Sequence, residues 1–302
     1  MRFILKYPYY SLLCLVLFPS CTNRLNYDYH ENPKEEVVNG FVVGWANEVT
    51  MDKQAVLRTI INNMICVEGG VFMMGINQVY DPNARSNESP AHYVRLSDFF
   101  ISAYELTSEQ ITCITGDKFW DNNVRYSYED WKLFVELLNE YTGLKFDFPT
   151  EAQWEFAARG GNQSQNYLYP GSNDWEDVWG EGVEGAESSI ANELGLHNMA
   201  DNHAEWCKDI YAEYNANGVY INPCNIFGDD GSNRVVRGGC STSNSKEKTW
   251  GKESSLNLYN DFYYSQDDYR LCRSTARSYY DYSYKKQEIT WRPVINIQNN
   301  EE

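Results

Sequence analysis

A chain of 302 residues, 42% of them hydrophobic, can bury one large core or two modest ones. Its 43 acidic side chains against 25 basic ones give a net charge of −18. A surface that acidic repels phosphate backbones, which excludes nucleic acid as an expected partner. Aromatics reach 15%, with 24 tyrosines, a bias that suits recognition surfaces because tyrosine gives large contact area at low entropic cost.

In chain order, residues 1–20 predict an export signal. Arg2 and Lys6 form a charged start, SLLCLVLF is the apolar run, and that run is too short to span a bilayer as a helix. Ser20 before Cys21 predicts a lipoprotein signal, with Cys21 lipidated after cleavage; an ordinary secretory signal with an incidental cysteine is the alternative. The expected location is the cell envelope, lipid-anchored to a membrane on its periplasmic or outer-membrane face. Beyond Cys14 and Cys21 stand Cys66, Cys113, Cys207, Cys224, Cys240 and Cys272, none of them in a CxxC, and a mixture of disulfides and buried thiols is expected.

Residues 21–64 read as a tether followed by a helix over MDKQAVLRTIINNM. ICVEGGVFMMG predicts two short strands folded at Gly69-Gly70. AHYVRLSDFFISAYELT predicts one long strand, after which SEQIT begins a helix. SYEDWKLFVELLNEYTG is an amphipathic helix capped by Ser127, lined by Trp131, Phe134, Leu137 and Leu138, and stopped by Gly143. In FPTEAQWEFAARGG, Thr150 caps a helix, Gln153 completes a capping box and Gly160-Gly161 closes it. Residues 162–233 have little periodicity. NRVVRGG predicts a core strand, residues 241–287 are polar and tyrosine-rich, and TWRPVINI supplies a last strand. The class is α+β with much irregular loop, in one domain over residues 65–297.

VEGGVFMMG, ESPAHYVRLSDFFISAYELT, FPTEAQWEFAARGG, NELGLHNMADNHAEW, NRVVRGG, RLCRSTAR and TWRPV, in that order, resemble the formylglycine-generating-enzyme-like (sulfatase-modifying-factor) family. The resemblance implies an elaborated C-type-lectin-like fold. It also implies calcium in the loop after Leu196, with side-chain oxygens from Asn198 and Glu205 and backbone carbonyls from Asp201 and His203. An oxygen-rich set of that kind suits a hard cation; a loop whose polar groups cap one another without metal is the alternative.

Formylglycine-generating members bind copper through a cysteine pair after the GGS strand. Here RGGCSTSNSKEKTW places Ser243 and Lys248 at those positions, and a hydroxyl and an ammonium cannot replace soft thiolates. Cys240 takes the place of the serine in GGS, and Ala204 that of the tryptophan before Glu205. Formylglycine generation is therefore not expected, neither copper nor iron is expected, and Cys240 is a weak nucleophile candidate because no His or Asp partner is visible. His92, Arg159, Arg237 and Arg292 read as structural, with Glu105 and Glu151 in the same network. The favoured reading is a non-catalytic envelope lipoprotein used for ligand binding or envelope assembly, with a protein or glycan ligand meeting Tyr263, Tyr264, Tyr269, Tyr279 and Tyr280. The alternative is a metal-dependent oxidoreductase modifying a protein substrate.

Overall fold

Among the described residues, the four main helices each begin at a hydroxyl side chain. In α1 (Met51–Asn62), α2 (Ser108–Thr115), α3 (Tyr128–Thr142) and α4 (Glu151–Ala158), the side chains of Thr50, Thr107, Ser127 and Thr150 accept a backbone N–H of the first turn. In the last three, Gln110, Asp130 and Gln153 return the bond to the cap residue's own N–H, so two orphan donors are met at each start. Gly143 stops α3 at φ 68, where an L side chain is disfavoured. The computed structural model describes residues 35–77, 79–82, 84–116, 126–178, 190–200, 203–228, 232–238, 272–285 and 289–297. Among them, no helix is long and apolar enough to cross a membrane.

Among the described residues the strands form four small sheets. β1 (Glu35–Val38) and β2 (Phe41–Gly44) make a hairpin. A second sheet has the order β3 (Met64–Val67), β6 (Phe99–Ser102), β13 (Val294–Asn296), β7 (Phe146–Asp147), and a third the order β4 (Val71–Met74), β5 (His92–Arg95), β9 (Val219–Ile221). The fourth runs β11 (Arg277–Asp281), β10 (Asn233–Arg237), β8 (Ala204–Ile210), β12 (Ile289–Thr290).

Two sequence expectations need correction here. The strands on either side of Gly69-Gly70 do not fold on each other, and the long strand ending near Thr107 is two strands. β3 pairs with β6 and β4 with β5, so one long antiparallel ribbon bends at matching points and enters two sheets. The bend is held where the Asp98 carboxylate accepts the Gly69 N–H at 2.8 Å and the Gly70 carbonyl accepts the Leu96 N–H at 2.9 Å. Gly69 is required by close approach, since a Cβ there would lie 2.2 Å from the Leu96 carbonyl oxygen.

Among the described residues the core falls into two main apolar clusters. The first joins the β1–β2 hairpin through Val38 and Val43, α1 through Leu57, Ile60 and Ile61, and α3 through Trp131, Phe134 and Leu138 to Trp206 and Trp291. Val38, Val43, Leu57, Ile60 and Ile61, all within the segment read from sequence as a tether followed by a helix, thus pack in the same cluster as Trp206 and Trp291. The second cluster packs α4 against β4, β5, β6 and β8 through Trp154, Phe156, Val94, Ile101 and Cys207.

Candidate functional site

β8 separates the two clusters by its alternation. Ala204 and Trp206 enter the first, while Glu205, Cys207 and Asp209 face the other way, toward α4. The loop before β8 is fastened to the helix. Asn192 donates to the Ala157 carbonyl at 2.7 Å and accepts the N–H groups of Leu194 and Leu196 at 3.0 and 3.1 Å. His197 donates its backbone N–H to the Ala103 carbonyl and stacks its ring on Tyr104, 4.9 Å between centroids. Asn198 follows, buried, at φ 58 in the left-handed region that asparagine tolerates.

Glu205, with no exposed surface, is the centre of this region. Arg292 donates Nε to both of its carboxylate oxygens at 3.1 Å and Nη2 to Oε1 at 2.7 Å. The Trp154 indole N–H adds a bond to Oε2 at 2.8 Å. Arg292 spends its other donors on the carbonyls of Ser102 (2.9 Å) and His197 (2.8 Å). One guanidinium therefore joins β6, β8 and the loop. Burial raises the Glu205 carboxyl above its usual range, with nearby Glu105 adding to the rise against the opposing pull of Arg292 and Trp154. His203 stands at the rim, Nδ1 3.9 Å from Glu105.

A second ionic network lies along α4. Arg277 clasps Glu151 with Nε at 2.7 Å and Nη2 at 2.6 Å, and lies 3.8 Å over the Tyr214 ring. Arg237 pairs with Glu155, whose other oxygen accepts the Gly75 N–H at 2.8 Å and Arg159 Nη1 at 3.0 Å. Burial opposes ionisation of Glu155, but Arg237 and Arg159 outweigh it and hold the carboxyl below its usual range. Asp209 has no such cation on its oxygens; it accepts the backbone N–H groups of Glu151 (2.8 Å) and Asn225 (2.9 Å). Burial, with Glu151 beside it, pushes its carboxyl up to about 7. A third network, which sequence reading missed, sets Arg273 against Glu88 (2.5 and 2.7 Å) and Asp81 (2.9 Å), with the Thr275 hydroxyl donating to Glu88 at 2.7 Å. Its acids lie about 190 residues upstream in the sequence, so no local pattern links them to Arg273.

The chain matches the Sulfatase-modifying factor enzyme 1-like domain model over residues 50–127 and 120–261. It belongs to that family. It is 26% identical over 211 residues to Chaperone protein LppX of Paenibacillus barcinonensis, covering 49% of this chain and 72% of LppX. It is 24% identical over 249 residues to the formylglycine-generating enzyme of Bos taurus, covering 58% and 65% of the two chains. It spans only 34% of serine/threonine-protein kinase Pkn1 of Chlamydia trachomatis, to which it is 26% identical. The fold superposes on Treponema denticola variable protein 1 with TM-score 0.56 at 16% identity, over 87% of this chain and 98% of that one. The mixed α and β architecture with much loop is that of the sulfatase-modifying-factor fold.

The residues expected around calcium meet different circumstances. Asp201 lies outside the described residues, Asn198 is buried, and His203 is at the rim. Both Glu205 oxygens accept bonds from inside the protein, Oε1 from Arg292 Nη2 at 2.7 Å and Oε2 from the Trp154 indole at 2.8 Å, so a guanidinium already stands against this carboxylate. Among the described residues, no three His, Cys, Asp or Glu side chains are grouped to hold a metal ion. Of the two side chains that the resemblance implies as ligands, Glu205 already has an internal cation on its carboxylate.

Of the tyrosines expected to share a ligand surface, Tyr279 and Tyr280 point to opposite faces of β11, as neighbours on a strand must. Tyr279 packs on Tyr211 at 4.1 Å; Tyr280 is buried against Trp206 and lies parallel to Tyr284 at 5.2 Å. They do not line one surface. Tyr263, Tyr264, Tyr269, Cys240, Ser243, Lys248 and Cys21 lie outside the described residues. His92 is buried as expected, edge-on to Tyr214 and Tyr220. Cys113, Cys207 and Cys224 are free thiols, and burial pushes the Cys224 thiol up to about 12 and the Cys207 thiol well above its ordinary value.

Proposed function

We propose that this chain is a lipid-anchored cell-envelope protein whose sulfatase-modifying-factor domain is a non-catalytic scaffold that binds a protein or glycan ligand. The observation that carries the reading is the use made of charge in the matched motifs. Glu151, Glu155 and Glu205 are each closed by arginines, and so serve as internal cement with no open acid or base. Ser243 and Lys248 at the copper positions argue against formylglycine chemistry. The similarity to a protein named as a chaperone supports a role exercised by binding. The export signal and Cys21 support the anchor.

Two measurements test it. The full-length protein should fractionate with membranes, and Cys21→Ser should release it; a variant that stays membrane-bound would remove the anchor from the reading. A cysteine-containing sulfatase-motif peptide incubated with the protein and copper under air should show no aldehyde by hydrazide trapping and mass spectrometry. Aldehyde formation would overturn the non-catalytic role.

A further inference from the structure

The three-stranded sheet β4-β5-β9 covers the second core cluster with one face: Met74 and Val94 are buried, and Phe72 and Tyr220 pack against the cluster's edge. By strand alternation its other face carries Val71, Met73, Tyr93, Arg95, Val219 and Ile221. Register aligns these as two rows across the sheet: Val71, Arg95, Ile221 and Met73, Tyr93, Val219. The five apolar and aromatic members are 41% to 70% exposed. An antiparallel or mixed sheet with one solvated face normally puts polar residues there, so the composition is inverted.

Arg95 is the exception, and it is informative. It is exposed, flanked on both sides by aliphatic side chains, and makes no ion pair with a described residue. That is unusual in a protein where acids outnumber bases 43 to 25. The strands lie about 4.8 Å apart and alternate residues about 7 Å apart, so the lattice is about 10 by 7 Å. A stable dimer needs about 800 Å² per partner, far more than six side chains on such a lattice present. The face is scaled to a short segment.

We infer that the outer face of β4-β5-β9 is a docking surface for a short amphipathic polypeptide segment of another protein, one whose apolar face carries a single carboxylate that pairs with Arg95. The apolar rows supply contact area, and the ion pair, enclosed between Val71 and Ile221, supplies selection by charge. The face is present whether or not Cys21 is lipidated, so this inference and the anchor fail separately.

The test uses the purified full chain and two synthetic helical peptides with leucines along one face, one with a glutamate among them and the other with lysine there. Fluorescence anisotropy should show the glutamate peptide binding at least tenfold more tightly. Arg95→Glu should invert that preference, and Tyr93→Ser with Ile221→Ser should weaken both peptides. Equal binding of the two peptides, or preference unchanged by Arg95→Glu, would overturn the inference. So would sedimentation showing a dimer that Arg95→Glu dissociates, or flotation of Cys21→Ser with neutral phosphatidylcholine vesicles that Ile221→Ser abolishes, because the face would then belong to a second copy or to lipid.

Discussion

Replacing Arg292 with methionine should be among the most damaging single changes in this protein. The guanidinium has no exposed surface and makes bonds to Glu205, His197 and Ser102, so its loss strands a fully buried carboxylate. Removing one partner of a buried pair costs about 3–5 kcal/mol, against a total stability of about 5–15 kcal/mol. With a urea slope near 3 kcal/mol/M, the midpoint should fall by about 1–2 M. Adding Glu205→Gln should restore about 1–3 kcal/mol, because a neutral amide does not require the counter-charge, and the two sites should be strongly coupled in a double-mutant cycle. In the single variant the isolated Glu205 carboxyl should rise further and take up a proton, so its deficit should be smaller at pH 5 than at pH 8. Urea titrations of the four proteins at both pH values measure all of this. A cost below about 1 kcal/mol for Arg292→Met, or no recovery in the double variant, would refute the view that this pair holds the loop to the core.

The remaining predictions use other parts of the same geometry. The Asp209 carboxyl, raised from 3.8 to about 7 by burial and Glu151, keeps a proton the unfolded chain has released, so its contribution makes stability fall between about pH 4 and pH 7 and level off above. The melting-temperature difference between Asp209→Asn and the parent should therefore shift in the variant's favour over that window, and a pH-independent difference would contradict it. EDTA should leave the melting temperature unchanged and calcium should not raise it, because Glu205 is already neutralised; stabilisation by calcium would return Asn198 and Glu205 to the role of ligands. Gly69→Ala should cost about 1–3 kcal/mol by forcing a Cβ onto the Leu96 carbonyl, which a urea midpoint can register. Cys207, fully buried with its thiol pushed well up, should react with a thiol reagent only on unfolding, as peptide mapping after brief labelling can establish.

What the sequence disclosed follows the range of the interactions concerned. The four helix starts were legible because each depends on residues within three positions of one another, as in Thr150 and Gln153. The bend at Gly69-Gly70 was visible as a break but not as a change of sheet, since its other half lies at Asp98. Periodicity alone cannot tell a continuous strand from two that part at a bend, and residues 92–102 read as one for that reason. The arginines expected to be structural are so, yet their acids were assignable only in three dimensions: Arg292 finds Glu205 across 87 residues. Tyr279 and Tyr280 were grouped by composition and are separated by strand alternation.

The same facts explain why the motif is so recognisable while saying little about chemistry. PTEAQWEFAARGG supplies Glu151 and Glu155 to buried guanidiniums and Trp154 to Glu205. Arg237 and Arg277 leave adjacent antiparallel strands opposite each other in register, so both reach α4 together. A buried carboxylate left without its arginine costs several kcal/mol, so each half of these pairs constrains the other wherever the fold is used. Such a set identifies the scaffold and not the activity. Specificity in this chain has to reside in positions the cement leaves free, and among the described residues the outer face of β4-β5-β9 is such a place: its arginine is exposed, and no described acid is paired with it.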